Sequence, residues 1–417
     1  MIWRSLLSMA LAAFALAACG GSGGDPPAPV ATRLCPPAID YSTVFTGGAG
    51  SGELVQVQLD TTAMTYKITY LASPVPVTKG TVLPTRATAP NNVASGTLTQ
   101  ETLLPTTKLN QCAFRLNDAS LDPARPARVF LGEGVLGGTI PGARIAFAGV
   151  AGVGVVPDTT FPYYPFIAFS QTSTNLAEIA GGYSMLGYHQ VPSQNFAPVA
   201  VDASLTIKAD GSFTECDNSG SYAGQCRQSG TNFVARTDSG TFETDRFTGQ
   251  VAPTQAVHGA QAQGILIVGK LRGQLVPILV RVGAADPSIV SPPGSPPKSP
   301  LADDESGIAM LAPQSHVAAG TQNGEYIGVD SNFAYRATAL VNTQATMLDP
   351  FNASLASLAT ALDLDHTQAL PGLVATSKTG AAAATAAGKM IFSGGAIGYL
   401  DLSDPSAPYF AVSAFVQ

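Results

Sequence analysis

The side chains able to do chemistry are few and scattered. Asp238-Ser239-Gly240, framed by Thr237 and Thr241, has the outline of a serine-nucleophile segment, with His189 or His258 as its base. Glycine would be expected where Thr237 and Thr241 stand, and Asp-Ser-Gly is an ordinary turn tripeptide, so a turn is the preferred reading. Asp363-Leu364-Asp365-His366 sets two carboxylates beside an imidazole. That group suits a cation, but at an expected helix end it more simply caps the helix or faces water. Asp303-Asp304-Glu305 would attract calcium, yet a charge run beside proline-rich chain is expected to be solvated. Outside the glycine-rich residues 20–24 of the tether the chain contains no G-x-S-x-G pattern, and it has no phosphate-binding loop, H-E-x-x-H or EF-hand pattern. No catalytic residue, metal or cofactor is assigned.

Aromatic rings are the other chemical handle. Phe161-Pro162-Tyr163-Tyr164-Pro165-Phe166 is dense in rings and proline, and Gly182-Tyr183-Ser184-Met185-Leu186-Gly187-Tyr188-His189 follows closely. A tyrosine offers an apolar face and a hydroxyl, so such patches stack on sugars or grip peptides. Tyr163, Tyr164, Tyr183 and Tyr188 are therefore the candidate ligand-binding residues. The plainer reading is a core or a sheet edge stiffened by proline. Trp3 lies in the leader described next, which leaves the mature chain without tryptophan and weakens a carbohydrate-binding assignment.

These side chains need elements to position them, and the amino terminus is not one of those elements. Arg4, an apolar core from Ser5 to Leu16, and small residues before Cys19 have the shape of a secretory signal over residues 1–18, too short to span a bilayer. Leu16-Ala17-Ala18-Cys19 followed by Gly20 resembles the bacterial lipoprotein signal. That resemblance implies cleavage before Cys19 and acylation of its thiol and of the new amine. Each buried methylene contributes about 0.8 kcal/mol, so a multiply acylated cysteine holds a protein on a membrane without a spanning helix. Gly20 in place of Asp implies the outer membrane by that family's sorting rule, facing either the periplasm or the cell surface. Residues 19–34 are expected to form a flexible lipidated tether, whose Gly/Ser and Pro stretch reaches on the order of 20 Å.

Removing Arg4 with the leader leaves 20 basic and 28 acidic side chains, a net charge of −8. That balance argues against nucleic acid as a partner. Four cysteines remain, Cys35, Cys112, Cys216 and Cys226, and an even count in an exported chain reads as two disulfides with three possible connectivities. Cys216 and Cys226 flank DNSGSYAGQ, which looks like a hairpin tip, so their mutual pairing is the natural choice and leaves Cys35 with Cys112. A metal site would need ligand spacings that the cysteines and the four separated histidines lack.

The body of the chain is mostly period two. Residues 53–59, ELVQVQL, and 64–70, MTYKITY, alternate across the turn-like Asp60-Thr61-Thr62-Ala63, which describes a hairpin with one buried face. Residues 203–208 and 212–214 flank Asp210-Gly211, a strong hairpin turn signal. Residues 265–268, 274–282, 389–392 and 409–416 are further β runs. One segment departs from this pattern. Asp349-Pro350 followed by Phe351, Leu355, Leu358 and Leu362 predicts an amphipathic helix over 350–363. The alanine-rich residues 381–387 are expected to be a loop.

Residues 143–156 with 165–169 resemble residues 388–401 with 408–412, each a strand, a Gly-rich turn and a Pro-started strand, and 264–269 with 277–282 repeats the outline in compressed form. Gly52-Glu53-Leu54, Gly182-Tyr183 and Gly324-Glu325-Tyr326 would then open three modules. The boundaries are a β module over 35–175, a second over 176–290 carrying the Cys216–Cys226 hairpin, a Pro-rich acidic linker over 291–306, and a third module over 307–417.

Of 417 residues only 12% are charged, 45% are hydrophobic, and Gly (43) and Pro (31) are abundant. Coiled coils, long exposed helices and wholesale disorder are excluded. The fold class expected is mainly β, with antiparallel sandwich or barrel-like modules, possible internal repetition and one short helix. Taken whole, with residues 323–340, 348–365 and 408–417 as its distinctive motifs, the chain resembles a family of uncharacterised betaproteobacterial envelope lipoproteins. The resemblance implies location and kinship, not activity. The function expected is a non-enzymatic outer-membrane lipoprotein, structural or binding a protein or small ligand. The alternatives are a periplasmic or surface hydrolase with a site assembled from distant residues, and an outer-membrane β-barrel.

Overall fold

The computed structural model describes residues 33–119, 121–150, 154–220, 223–228, 231–244, 262–284, 303–352, 359–368, 370–380 and 388–416. The leader, Cys19, most of the 19–34 tether, His258, residues 291–302 and the alanine-rich segment 381–387 lie outside the described residues.

The alternating run 53–59 becomes β2 (Glu53–Asp60), which buries every second side chain from Val55 onward and pairs through Asp60↔Thr65 with β3 (Thr65–Ala72). With β1 (Phe45–Ala49) before them and five strands after, ending in β7 (Val135–Val150) and β8 (Gly154–Phe169), they form a closed eight-stranded barrel sealed by β1 against β8. β7 and β8 hold 16 residues each, but their pairing with the neighbouring strands stops at Gly138 and Phe166. Beyond those points they continue as a two-stranded ribbon, roughly 40 Å long at ~3.3 Å per residue. Pro141, Pro157, Pro162 and Pro165 punctuate it and withhold the amide hydrogens through which another strand would add.

The second unit is a nine-stranded sheet. β9 (Gly181–Val191), β10 (Ala197–Ile207), β11 (Phe213–Asp217) and β12 (Cys226–Gln228) run to one edge. β13 (Val234–Arg236), β14 (Thr241–Thr244), β15 (Gln263–Leu271) and β16 (Gln274–Val282) form the other side, with β17 (Ser306–Pro313) inserted between β9 and β16. The Asp210-Gly211 turn joins β10 to β11 with Gly211 at φ +82°. β15, β16 and β17 are apolar at almost every position because both their faces are covered. One face packs on Leu205 and Phe242 of the same curled sheet; the other meets both barrels.

The third unit is a second closed eight-stranded barrel, β18 (Gly324–Asp330) to β25 (Tyr409–Phe415), sealed by β18 against β25. Ile167 and Phe169 of the first barrel, Ile267 and Ile278 of the sheet, and Ile391 and Val412 of the second barrel share one buried cluster. Each such side chain contributes about 1.5–3 kcal/mol on burial. Close approach is part of this packing: a Cβ on Gly48 would sit 2.3 Å from Val280, and one on Gly269 2.3 Å from the Phe169 ring.

Several expectations are corrected. Residues 360–363 are not helical but begin β21 (Thr360–Asp365), which buries Leu362 and Leu364 in period two, and Asp349 instead accepts from the Phe351 amide in a turn; residues 353–358 lie outside the described residues. The helices among the described residues are short, α1 (Thr107–Asn110), α2 (Leu176–Ile179) and a 3-10 turn, Pro192–Gln194. The boundary expected at 291–306 does not coincide with a change of sheet, since β17 still belongs to the second unit. Gly52-Glu53-Leu54 opens a second strand, whereas Gly182-Tyr183 and Gly324-Glu325-Tyr326 do open their units. The two long repeats differ too. The first is one hairpin, β7–β8, and the second spans three strands, β23 (Gly388–Ser393), β24 (Ala396–Asp401) and β25. Their final motifs, residues 165–169 and 408–412, nevertheless both supply barrel-closing strands.

The barrels lack the dimensions of a membrane barrel. β5 (Ala113–Leu116) and β6 (Arg128–Leu131) have four residues each, where about 9–11 would cross an outer membrane. Among the described residues no helix is long and apolar enough to cross one either.

Candidate functional site

The tyrosines singled out from sequence do not form an exposed patch. Tyr163, Tyr164 and Tyr183 are buried and Tyr188 is half-buried, and burial pushes the hydroxyls of all four up from their ordinary range. Tyr163 and Tyr164 belong to the ribbon, whereas Tyr183 and Tyr188 lie on β9 in the second sheet. The ribbon motif is a joint between all three units. Phe161 packs 4.9 Å from the Phe196 ring of the second unit and 5.7 Å from the Phe333 ring of the third, centroid to centroid. Phe196 and Phe333 both hold left-handed backbone, φ +57° and +60°, a conformation unusual for bulky residues, and both rings meet Phe161. The Tyr163 hydroxyl donates to the Phe333 carbonyl, which also accepts from Arg125 at 3.1 Å. Tyr163→Phe should therefore cost about 1 kcal/mol, read as a lower urea midpoint with an unchanged slope; an unchanged midpoint would show that the hydroxyl adds nothing to the joint.

The residues suggested for catalysis are kept apart. Ser239 bonds Thr241, and Asp238 pairs with Arg236, whose hydrogen bond holds its carboxyl below the usual range. His189 stands on β9, which three intervening strands separate from β14 in the sheet. Asp365 caps its own turn through Thr367, Asp363 bonds Thr379, and Nδ1 of His366 lies 2.9 Å from the Val317 carbonyl. Among the described residues no group of three or more His, Cys, Asp or Glu side chains is arranged to hold a metal ion.

Two buried charge centres were not evident from sequence. Glu53, fully buried at the start of β2, takes a two-pronged contact from Arg86 and further hydrogen bonds from Ser51 and Ser73. The Arg86 guanidinium lies 4.3 Å from the Tyr70 ring centre; burial outweighs the lowering effect of that cation, and the Tyr70 hydroxyl is pushed up to about 12. The second centre corrects the expectation of a solvated acidic run. Arg281 donates to the Asp303 carboxylate and the Glu305 carbonyl, Nδ1 of His189 lies 2.6 Å from Glu305, and Asp304 accepts from the Ser193 amide at 2.6 Å. Asp304 and Glu305 are buried, and burial pushes the Asp304 carboxyl up. The only signal for this centre was Arg281 itself, a lone cation in the apolar run 276–282.

Both barrel interiors are occupied by their own side chains, Tyr66 and Leu59 in the first and Met390 and Tyr326 in the second. The open concavity lies outside them, at the end where the β15–β16 hairpin turns. One groove of about 500 Å³ runs between the second sheet and the second barrel past His316 and Gly394. Another of about 630 Å³ runs toward the first barrel past Glu133, Lys270 and Arg272. Glu178, Gln274 and Leu275 line both. The crest between them is the turn Arg272-Gly273, φ +53° and +73°, in which an arginine occupies a left-handed position that Asn or Gly fills at less cost. Lys270 lies 3.3 Å from Glu178 on the groove wall.

The family described as "Protein of unknown function (DUF2957)" matches residues 65–414. The chain belongs to this family. No curated protein matches it. A solved structure described as intact Ap-TbpB, N and C lobes, aligns over 87% of this chain at 10% identity and a TM-score of 0.18, a likeness too slight to define a shared fold. This chain covers 66% of that structure, just under two thirds. The DUF2957 match begins at the first residue of β3 and ends inside β25, so it reaches into all three units and leaves out β1 and β2. The ribbon joint, both buried charge centres except Ser51 and Glu53, and both grooves fall within the DUF2957 stretch.

Proposed function

We propose that this chain is a non-enzymatic lipoprotein, anchored through Cys19 to a bacterial outer membrane, that binds an extended segment of a partner protein in the grooves flanking the β15–β16 hairpin. The observation that carries this reading is the filling of both barrels, which makes the exterior grooves, rather than a lumen, the place for a ligand. Their openness to solvent, and the mixed charge of Lys270, Arg272, Glu133 and Glu178 along the second, suit a polypeptide better than a compact small molecule. The anchor is compatible with the placement of the amino terminus. Ile39 bonds Thr61 at the β2–β3 turn, at the end of the first barrel opposite the ribbon, so a lipidated tether would hold the body with the ribbon outermost.

Two measurements test this. Cys19→Ser should move the chain from the membrane fraction to the soluble periplasmic fraction; retention on the membrane would overturn the lipid anchor. A photo-crosslinking side chain at Gln274 in living cells should give a discrete adduct that Lys270→Glu with Arg272→Glu abolishes, while the same probe at Lys208, in the β10–β11 turn, gives none. No adduct at Gln274, or an equal one at Lys208, would overturn the groove as the binding site.

A further inference from the structure

The two disulfides occupy opposite environments. Cys35 and Cys112 are buried within the core cluster of the first barrel and join residues 77 apart. Cys216 and Cys226 lie 10 apart, directly opposite each other in the β11–β12 pair, with Cys226 exposed and Cys216 half-buried. β12 is the edge strand of the nine-stranded sheet and meets β11 in only three residue pairs. Two backbone bonds beyond the ladder, from the Asp217 amide to Gln225 and from the Gly224 amide to Asp217, add to its attachment in the turn that follows β11.

We propose that Cys216–Cys226 is a thiol–disulfide exchange site, open to a dithiol reductant on the folded protein, and that Cys35–Cys112 is not. Exchange requires a thiolate to reach a sulfur in line with the bond it breaks, so access decides which disulfide reacts. Cys226 is an exposed residue at a sheet edge, whereas a thiolate reaching Cys35 or Cys112 would first have to open the first barrel. In the reaction one thiolate of the dithiol attacks Cys226 Sγ, the Sγ–Sγ bond breaks, and Cys216 leaves as a thiolate that takes a proton from water. The second thiol of the reagent then loses its proton, attacks the mixed disulfide and displaces the Cys226 thiolate, which is protonated in turn. The protein gains two electrons and two protons; the dithiol leaves as a cyclic disulfide. Reduction removes the covalent tie on a three-residue edge strand, so β12 separates from β11 while the rest of the sheet, held by β9, β10 and β17, keeps its pairing.

The test uses the mature chain, folded and oxidised, in graded dithiothreitol without denaturant, followed by alkylation and peptide mapping. Cys216 and Cys226 should be alkylated together at least ten times faster than Cys35 and Cys112, and faster amide exchange should be confined to residues 213–228. Joint reduction of both bridges, earlier reduction of Cys35–Cys112, or resistance of both until the chain unfolds would overturn the proposal. A Cys216→Ser, Cys226→Ser double variant separates access from folding. It should reproduce the fast amide exchange of the reduced protein while leaving Cys35–Cys112 as slow to reduce as in the parent. Unchanged exchange in that variant would show that the bridge does not hold β12.

Discussion

Arg86→Met should lower the unfolding free energy by about 3–5 kcal/mol, because it leaves the Glu53 carboxylate buried with no cation beside it. Glu53 has no solvent contact, and the serine hydroxyls of Ser51 and Ser73 supply hydrogen bonds but no charge. Burial works against the charged guanidinium, yet the adjacent Glu53 more than offsets it and holds the Arg86 pKa raised. Arg86 also donates to the carbonyls of Pro141 and Gly142 at 3.0 and 3.1 Å, which fastens the loop after β3 to the base of the ribbon. Urea unfolding of Arg86→Met, Glu53→Gln and the double variant closes a cycle. The double variant should recover part of the loss, since the neutral amide that Glu53→Gln introduces no longer demands a counter-charge. Additive losses would show that the two side chains act independently and that the pair is not the source of the cost.

Replacing both Cys35 and Cys112 by serine should cost about 4.5 kcal/mol if the bridge acts by restricting the unfolded chain across its separation of 77 residues, against about 2.8 kcal/mol for the 10-residue Cys216–Cys226 loop. The larger effect belongs to the bridge that the long separation makes hard to close by chance. Thermal or urea unfolding of the two double-serine variants under identical conditions measures the ordering directly. Equal losses would mean that native packing around the bridges, rather than the length of chain they close, sets their contribution.

How much of this could be read in advance depended on the range of the interactions involved. Half-buried hairpins such as β2–β3 were legible because alternation is local, and the β15–β16 hairpin was legible as an apolar run bounded by turn residues. Closure was not. A barrel differs from a sandwich through pairings such as Ala49↔Phe166 and Gly328↔Ser413, whose partners lie far apart and carry no shared mark. The end of the helix expected at 350–363 gives way to β21 because Leu362 completes a helical stripe with Phe351, Leu355 and Leu358 while Leu362 and Leu364 equally match a strand, and only the pairing of β21 with its neighbours distinguishes the two over residues 360–363. Asp303-Asp304-Glu305 departs from expectation for a similar reason. Its charge made it look solvated, and the groups that satisfy it, Arg281, His189 and Ser193, come from other strands and turns. Tyr163, Tyr164 and Tyr183 are core, the plainer of the two readings, since proline on either side of Tyr163-Tyr164 stiffens a ribbon as readily as it shapes a surface.

Barrels that close on themselves leave no free strand edge, so in the described residues the open margins of sheet are those of β12 and β13, three residues each, and the two flanks of the proline-punctuated β7–β8 ribbon. An incoming strand from a neighbouring copy would find too few free amides and carbonyls there to begin stacking. A chain this poor in charge would ordinarily be prone to fibril growth when crowded. Here the margins open to such growth are two short strands, one of them stapled, and a ribbon whose prolines withhold amides.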